Sequence, residues 1–465
     1  MSISSCCTQL ASLPGLHVAF PNSTAYIATE KSYWSLQEGS LAPSCIVSPA
    51  TAEDVVEIVS TIVRQGQCEF AIKGQGHAPA AGFANADHGV TIDLASLDSI
   101  SLNEDHSLAS VGAGARWVDA YAYLERFGKT VAGGRNGQVG VGGLTLGGGI
   151  SYFSPQVGFT CDSVFNFEIV LASGRLVNTN ATSHADLFRA LKGGLNNFGV
   201  VTRIDLETLP IGEILGGSAT YDISQKHSLF EAFANIANAP QYDSHASLVA
   251  AAAFNSTTKT WTLSSTPIYT KPDLNPPFYQ ELFAISNVSS TVQLRNLSTF
   301  SNESAIPQLN FAFFTGTYGV SVDFLERMFD IVDENVRSSS EVSWSYAIEP
   351  LPTIFTARGA GENVLGTSAH DGNGMIVLIS PAWMDPALDA EVRCTGNRIL
   401  SGVETAAKDM GTLRQFVYAN YADRSQRPVI SYGKDNQFFL KAVARKYDPS
   451  GVFQKLVPGG FKLDD

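Results

Sequence analysis

The sequence predicts an α+β protein of at least two lobes, and three observations carry that reading. Its 465 residues exceed the roughly 250 to 300 at which a single hydrophobic core stops growing. Helix-patterned and strand-patterned segments alternate up to Pro210, as they do in mixed α/β lobes. From Ile211 to Leu413 glycine thins out, and the pattern shifts to longer strand alternations set between helices.

The elements follow in chain order. Thr51-Ala-Glu-Asp54 has the form of a capping box, and Val55, Val56, Ile58, Val59, Ile62 and Val63 then recur at helical spacing, so a helix is expected up to about Gly66. "EFAIKG" (69–74) reads as a short strand, and Val90, Ile92 and Leu94 alternate as a second. The decapeptide Lys73–Gly82, "KGQGHAPAAG", is therefore a loop between strands, with His77 at its centre. "SLASVGAGA" reads as a further strand and "RWVDAYAYLERFG" as an amphipathic helix closed by Gly128. Beyond Ile211, "NFAFFTGT" (310–317) and "GMIVLIS" (374–380) alternate as strands, and "SVDFLERMFDIVDENV" is patterned as a helix.

Composition removes several functional classes. Acidic residues outnumber basic ones 44 to 30, for a formal charge of −14, and no basic patch is present, which argues against nucleic acid or an anionic membrane as partner. No apolar run reaches the ~18 residues of a membrane span, so no membrane insertion is expected. The first twenty residues lack the basic-then-apolar layout of a signal peptide. Six cysteines (Cys6, Cys7, Cys45, Cys68, Cys161, Cys394) form no CxxC pair, and no metal is expected. Sequons begin at Asn22, Asn180, Asn255, Asn287, Asn296 and Asn302. They favour a glycoprotein of the secretory pathway whose signal peptide has been trimmed; a cytoplasmic protein with reduced thiols is the other reading.

Two further glycine-rich segments follow the decapeptide. In "GGRNGQVGVGGLTLGGG" (133–149) more than half the residues are glycine, so backbone N–H groups can approach an anionic ligand closely. From Gly140 the run reads G-V-G-G-L-T, which lacks the last glycine of a Rossmann fingerprint, and no G-K-[ST] of a Walker loop occurs. "LKGGLNNFGVVT" (191–202) places glycines and two amides before an apolar strand. Any one of these is more often a tight turn than a ligand site; three in one lobe, one of them carrying a histidine, point to a large, extended anionic ligand.

The ordered motifs "PATAEDVVEIVSTIV", "KGQGHAPAAGF", "GVTIDLASLDSI", "GGRNGQVGVGGLTLGGGISYFSPQVGFTCDSVFNFEIVLASGRLV" and "LKGGLNNFGVVT" resemble the FAD-binding lobe of the vanillyl-alcohol-oxidase, or PCMH-type, flavoproteins. With "YANYAD" (418–423) and "YDPSGVFQ" the chain resembles the berberine-bridge-enzyme-like FAD-linked oxidases, above all the fungal branch of secondary metabolism. The resemblance implies an N-terminal segment over 1–36, a PCMH-type FAD domain over 37–210, a substrate domain of antiparallel sheet backed by helices over 211–413, and a C-terminal segment over 414–465 that returns to the FAD domain. It implies that His77 carries the flavin on its 8α-methyl carbon. The family's R-x-G-G-H loop reads Lys73-Gly74-Gln75-Gly76-His77 here, with Lys73 and Gln75 as departures. Asn136 stands where many relatives place a cysteine that makes a second flavin bond, so a single covalent link is expected.

Carried over residue by residue, the FAD site would take in Lys73, Gly74, Gln75, Gly76, His77, Ala78 and Gly82. From the second segment it would add Gly134, Val139, Gly140, Gly142, Gly143, Leu144, Gly147 and Gly149, and further along Asp162, Gly199, Val201 and Tyr421. Tyr421 is the expected base, on a strand with Tyr418 and Asn420 as neighbours; a tyrosine of pKa ~10 needs a partner that stabilises phenolate, and none is visible in the sequence. Phe311, Phe313, Trp344, Tyr346, Met375, Val377 and Ile379 are candidates for the pocket lining, although alternating apolar residues on a sheet are more often core. The implied function is an O2-dependent oxidase, a monomer, that dehydrogenates a small, largely apolar natural-product intermediate, with ring closure as a variant. A carbohydrate oxidase, and a flavoprotein fold used for redox-neutral cyclisation or ligand binding, are the alternatives.

Overall fold

The computed structural model describes residues 3–302 and 308–464; the sequon at Asn302 runs into residues outside that set. Two hydrophobic cores organise the molecule. The first gathers the N-terminal half and the chain from Phe416 to Leu463, so the C-terminal segment closes over the lobe begun by the N-terminal one. Main-chain bonds such as Phe70 N–H to Leu456 O (2.7 Å) tie the two ends together.

The first core lies between two small sheets. In one, strands His17–Ala19, Cys45–Ser48, Val90–Asp93 and Phe70–Lys73 lie in that order; the outer pair is antiparallel and the rest parallel. The other is antiparallel and built around the long strand Val200–Pro210, with Leu108–Gly112 and Val164–Val170 on its two sides. Helix Ala52–Gln65 packs against this core. Its capping box forms as expected: Thr51 Oγ1 accepts from Asp54 N–H (3.1 Å), Asp54 accepts from Thr51 N–H (3.1 Å), and Gly66 ends the helix in the left-handed region at φ 68°. Thr51→Ala is expected to lower stability by about 1 kcal/mol, the usual worth of such a cap, read as a drop in melting temperature. Disulfides Cys6–Cys68 and Cys7–Cys45 fasten helix Ile3–Ala11 to this lobe.

The second core belongs to a ten-stranded antiparallel sheet covered on one face by helices Lys226–Ala237, Val322–Val336 and Asp389–Asp409. Successive side chains on a strand point to opposite faces. On Ser343–Leu351, Trp344, Tyr346 and Ile348 go to the helices, which leaves Ala347 and Glu349 on the face toward the first lobe. Trp344, Tyr346, Met375, Val377 and Ile379 all lie in the second core, so these five candidates are packing residues and line no pocket. "NFAFFTGT" divides into strands Asn310–Phe311 and Phe314–Tyr318, and the break turns Phe313 into the cleft between the lobes.

Candidate active site

Three segments converge on that cleft: the His77 loop, the glycine-rich segment 133–149 with its short helix Val141–Leu146, and the turn at Tyr421. The Y-x-N-Y segment is a tight 3-10 turn, Ala419–Tyr421, where a strand was expected. Asn420 explains the turn. Its carboxamide donates to Leu144 O (3.0 Å) and Tyr418 Oη (3.0 Å), and fills space where a Cβ on Gly147 would stand 1.9 Å from its oxygen. Asn420 and the buried Tyr418 therefore brace the turn against the end of helix Val141–Leu146, and only Tyr421 of the three reaches the cleft with a reactive group.

The Tyr421 hydroxyl donates to Glu349 Oε1 (3.0 Å) and accepts from Arg135, which also pairs with Glu349 at 2.8 Å. This is the partner that the sequence left unseen. Burial pushes the Tyr421 phenol well above its ordinary value; the Arg135 charge pulls it down and Glu349 pushes it up. Tyr421 therefore rests as a neutral phenol with a carboxylate in position to receive its proton. Burial alone would lower the Arg135 pKa, but Glu349 and then Tyr421 hold it above its ordinary value, so the guanidinium keeps its charge. Glu349 Oε2 is buried and has no hydrogen-bond partner among the described residues.

His77 lies across the cleft, half-buried. Desolvation, with the Arg116 guanidinium second, lowers its pKa to about 4, so the imidazole is neutral at physiological pH. Among the described residues, none accepts a hydrogen bond from the main-chain N–H groups of Gln75, Gly76, His77 or Ala78. Consecutive free N–H groups of this kind form an anion-binding concavity. A Cβ added at Gly82 or Gly143 would meet nothing within 4 Å, so both segments face open space. Gly140 closes against Gln75 and Gly142 against Ala113, so the two glycine-rich segments form adjoining walls, with Gly74, Ala78, Val139 and Leu144 along them. A cleft with free N–H groups, glycine walls and a neutral nucleophilic nitrogen fits a flavin nucleotide.

Several predicted contacts go elsewhere. Lys73 is buried, and its ammonium pairs with Asp93 (3.1 Å), so it anchors the base of the loop and no longer offers a charge to a pyrophosphate. The Gln75 carboxamide donates to Gly114 O. Asp162 is used up by Asn363 Nδ2 (2.8 Å) and Phe159 N–H (2.8 Å), which makes it a latch between two turns. Gly199 and Val201 sit in the first core, where a Cβ at Gly199 would stand 2.6 Å from Val170 O; they are sheet-packing residues. Gly134 and Gly149 likewise lie under Trp117 and Leu144.

Arg135 and Glu349 were missed, and each carried a signal: Arg135 is the one charge in a glycine-rich run, and Glu349 the one charge in an apolar strand. The N-terminal clasp on the His77 loop was missed as well. Glu38, fully buried, accepts from Gly82 N–H (3.0 Å) and Ala84 N–H (2.7 Å), and burial raises its pKa from 4.5 to about 8 against the pull of these bonds. A carboxyl with a raised folded-state pKa contributes stability that is complete below the unfolded value and lost as pH rises through the folded one. Stability is thus expected to decline from pH 4.5 to about 8 through Glu38, and Glu38→Gln should flatten that part of the melting-temperature profile; a profile identical to the parent's would refute the assignment.

What the fold and this cleft define together is a flavin-dependent oxidoreductase. The FAD binding domain family matches residues 43–180. The FAD-dependent monooxygenase sdcF of Emericella nidulans is 34% identical over 471 residues, covering 99% of this chain and 98% of its own. The FAD-dependent monooxygenase tpcD of Cochliobolus heterostrophus is also 34% identical, over 98% of this chain and 92% of its own. The chain belongs to the same family as these two fungal FAD-dependent proteins. Solved structures share the fold. 6-Hydroxy-D-nicotine oxidase from Arthrobacter nicotinovorans matches with TM-score 0.80 at 21% identity, over 94% of this chain and 96% of its own. Berberine bridge enzyme from Eschscholzia californica matches with TM-score 0.78 at 17% identity, over 99% and 100%.

Proposed function

We propose that this enzyme dehydrogenates a small, largely apolar natural-product intermediate at a hydroxyl-bearing or similarly acidic centre, with Tyr421 as the base. The Tyr421–Glu349–Arg135 arrangement carries the reading. When bound, FAD supplies the two-electron acceptor, regenerated by O2. Tyr421 takes the substrate proton at its phenolic oxygen while its own proton moves to Glu349 Oε1, 3.0 Å away. Arg135 donates to both oxygens and so limits the charge that either accumulates. His77 holds the cofactor by a single covalent link, with Asn136 unreactive; its carboxamide oxygen accepts from Gln138 N–H (2.8 Å). The Phe313 ring stands beside Tyr421 at 6.2 Å, with Phe311 stacked on Trp34 behind it, an aromatic lining that suits a planar substrate better than a sugar.

Anaerobic mixing with candidate substrates tests the reading: bleaching of the bound flavin by phenolic or allylic alcohols supports it, whereas bleaching by oligosaccharides alone, or by nothing while substrate is still converted, moves the carbohydrate or redox-neutral alternative ahead. Acid denaturation followed by mass mapping of the Lys73–Gly82 peptide tests the link. A second reading, monooxygenation, draws on the names of the relatives at 34% identity. Under ¹⁸O2, label in the product marks a monooxygenase and label only in H2O2 an oxidase. The two disulfides and exposed sequons at Asn22, Asn255, Asn287 and Asn296 support a secretory route; glycosidase-sensitive mass on these asparagines is its test.

A further inference from the structure

We propose that Trp34 is the positioning residue for covalent attachment of FAD at His77, carried by a segment, Tyr33–Glu38, built to hold the His77 loop. The proposal rests on the reading that His77 is the point of attachment.

Four of the segment's six residues, Tyr33, Trp34, Ser35 and Glu38, grip the loop and the residues just after it. Tyr33 packs under Gly76, where a Cβ would stand 2.7 Å from its ring, and its hydroxyl donates to Ala84 O (3.0 Å). Trp34 N–H donates to Gly76 O (3.0 Å), Ser35 Oγ donates to Pro79 O (3.1 Å), and Glu38 receives Gly82 and Ala84 N–H. From the other side the segment is fixed to the substrate lobe. Gln37 exchanges a reciprocal pair of hydrogen bonds with the Phe311 main chain (2.9 and 3.0 Å), and Gln308 Nε2 donates to Tyr33 O (2.6 Å).

Trp34 itself is only half-buried, so it is not a core residue. One face of its indole stacks on the His77 imidazole at 4.5 Å and 21°, and the other on Phe311 at 3.9 Å and 15°. The stack fixes the plane of the imidazole and strips water from one side, and Arg116, anchored to Gln138 O, further disfavours the protonated ring. Attachment needs both effects, because the nucleophile is the lone pair of a neutral ring nitrogen aimed at one carbon. In the balanced step a His77 nitrogen bonds to the 8α carbon. The methyl group gives up one proton, the imidazole another, and the two electrons leave with them on O2 as H2O2.

The experiment compares the parent protein with Trp34→Ala, Trp34→Phe and His77→Ala, each prepared from riboflavin-starved cells and then given FAD. Total bound flavin and the fraction that precipitates with protein in acid are followed over time. Trp34→Ala is expected to bind FAD yet attach it about 10²-fold more slowly, the cost of roughly 1 Å of misplacement. Trp34→Phe, which keeps a stacking ring, should recover most of the rate, and His77→Ala should bind flavin without attachment. Attachment by Trp34→Ala at the parental rate overturns the proposal, as does equal loss of FAD binding in both Trp34 variants, which would make the residue structural. Release of flavin from the parent in acid instead overturns the His77 reading itself.

Discussion

Tyr421→Phe lowers the rate of flavin reduction by about 10²–10⁴-fold, the usual worth of a positioned proton acceptor, and leaves a yellow protein with its flavin in place. The substitution removes one oxygen that accepts from Arg135 and donates to Glu349, and leaves the ring packing against Tyr418 (4.9 Å) and Phe313 (6.2 Å). Glu349→Gln should imitate part of this loss, because a neutral amide cannot receive the Tyr421 proton, while Asn420→Ala should act through the turn and change reduction less than either. Stopped-flow reduction under anaerobic conditions reads all three. Reduction by Tyr421→Phe at the parental rate would remove the base from the mechanism, and an equal loss in Asn420→Ala would show that the turn, and not the phenol, is what matters.

Arg135→Met destabilises the protein by about 3–5 kcal/mol, the range for removing one partner of a buried ion pair. Both members are well shielded, with side-chain exposures of 14% for Arg135 and 6% for Glu349, so water cannot replace the lost guanidinium. Arg135→Met combined with Glu349→Leu should recover most of the stability without recovering activity, since apolar replacement of a whole buried pair is often neutral. Urea unfolding midpoints of the three proteins measure this. A single-variant loss under about 1 kcal/mol, typical of exposed pairs, would mean that the pair is solvated and that the cleft is wetter than its exposure values say.

Much of the first lobe was legible locally. The capping box at Thr51, the strands around the His77 loop and the glycine-rich segments are each set by neighbours within a few residues, so periodicity and turn chemistry place them. The resemblance placed the return of the C-terminal segment and the cofactor. The Tyr418–Tyr421 turn was misread as a strand because its shape depends on Asn420 reaching Leu144, 276 positions away in sequence. Lys73 and Asp162 look like ligand residues in sequence, yet their charges are taken by Asp93 and by Asn363 with the Phe159 main chain.

By itself, then, the sequence determined the two-lobed α+β plan, the glycine-walled loop with one histidine at its centre, and the flavoprotein family. Only the tertiary structure decided which polar groups meet in the cleft. Arg135 and Glu349 are 214 positions apart, and Glu349 and Tyr421 are 72 apart. Their meeting depends on strand alternation in one lobe, a turn in the other and the packing of the two. A proton acceptor is made by a partner within about 3 Å and by exclusion of water, and neither distance nor burial is a property of residues taken one at a time.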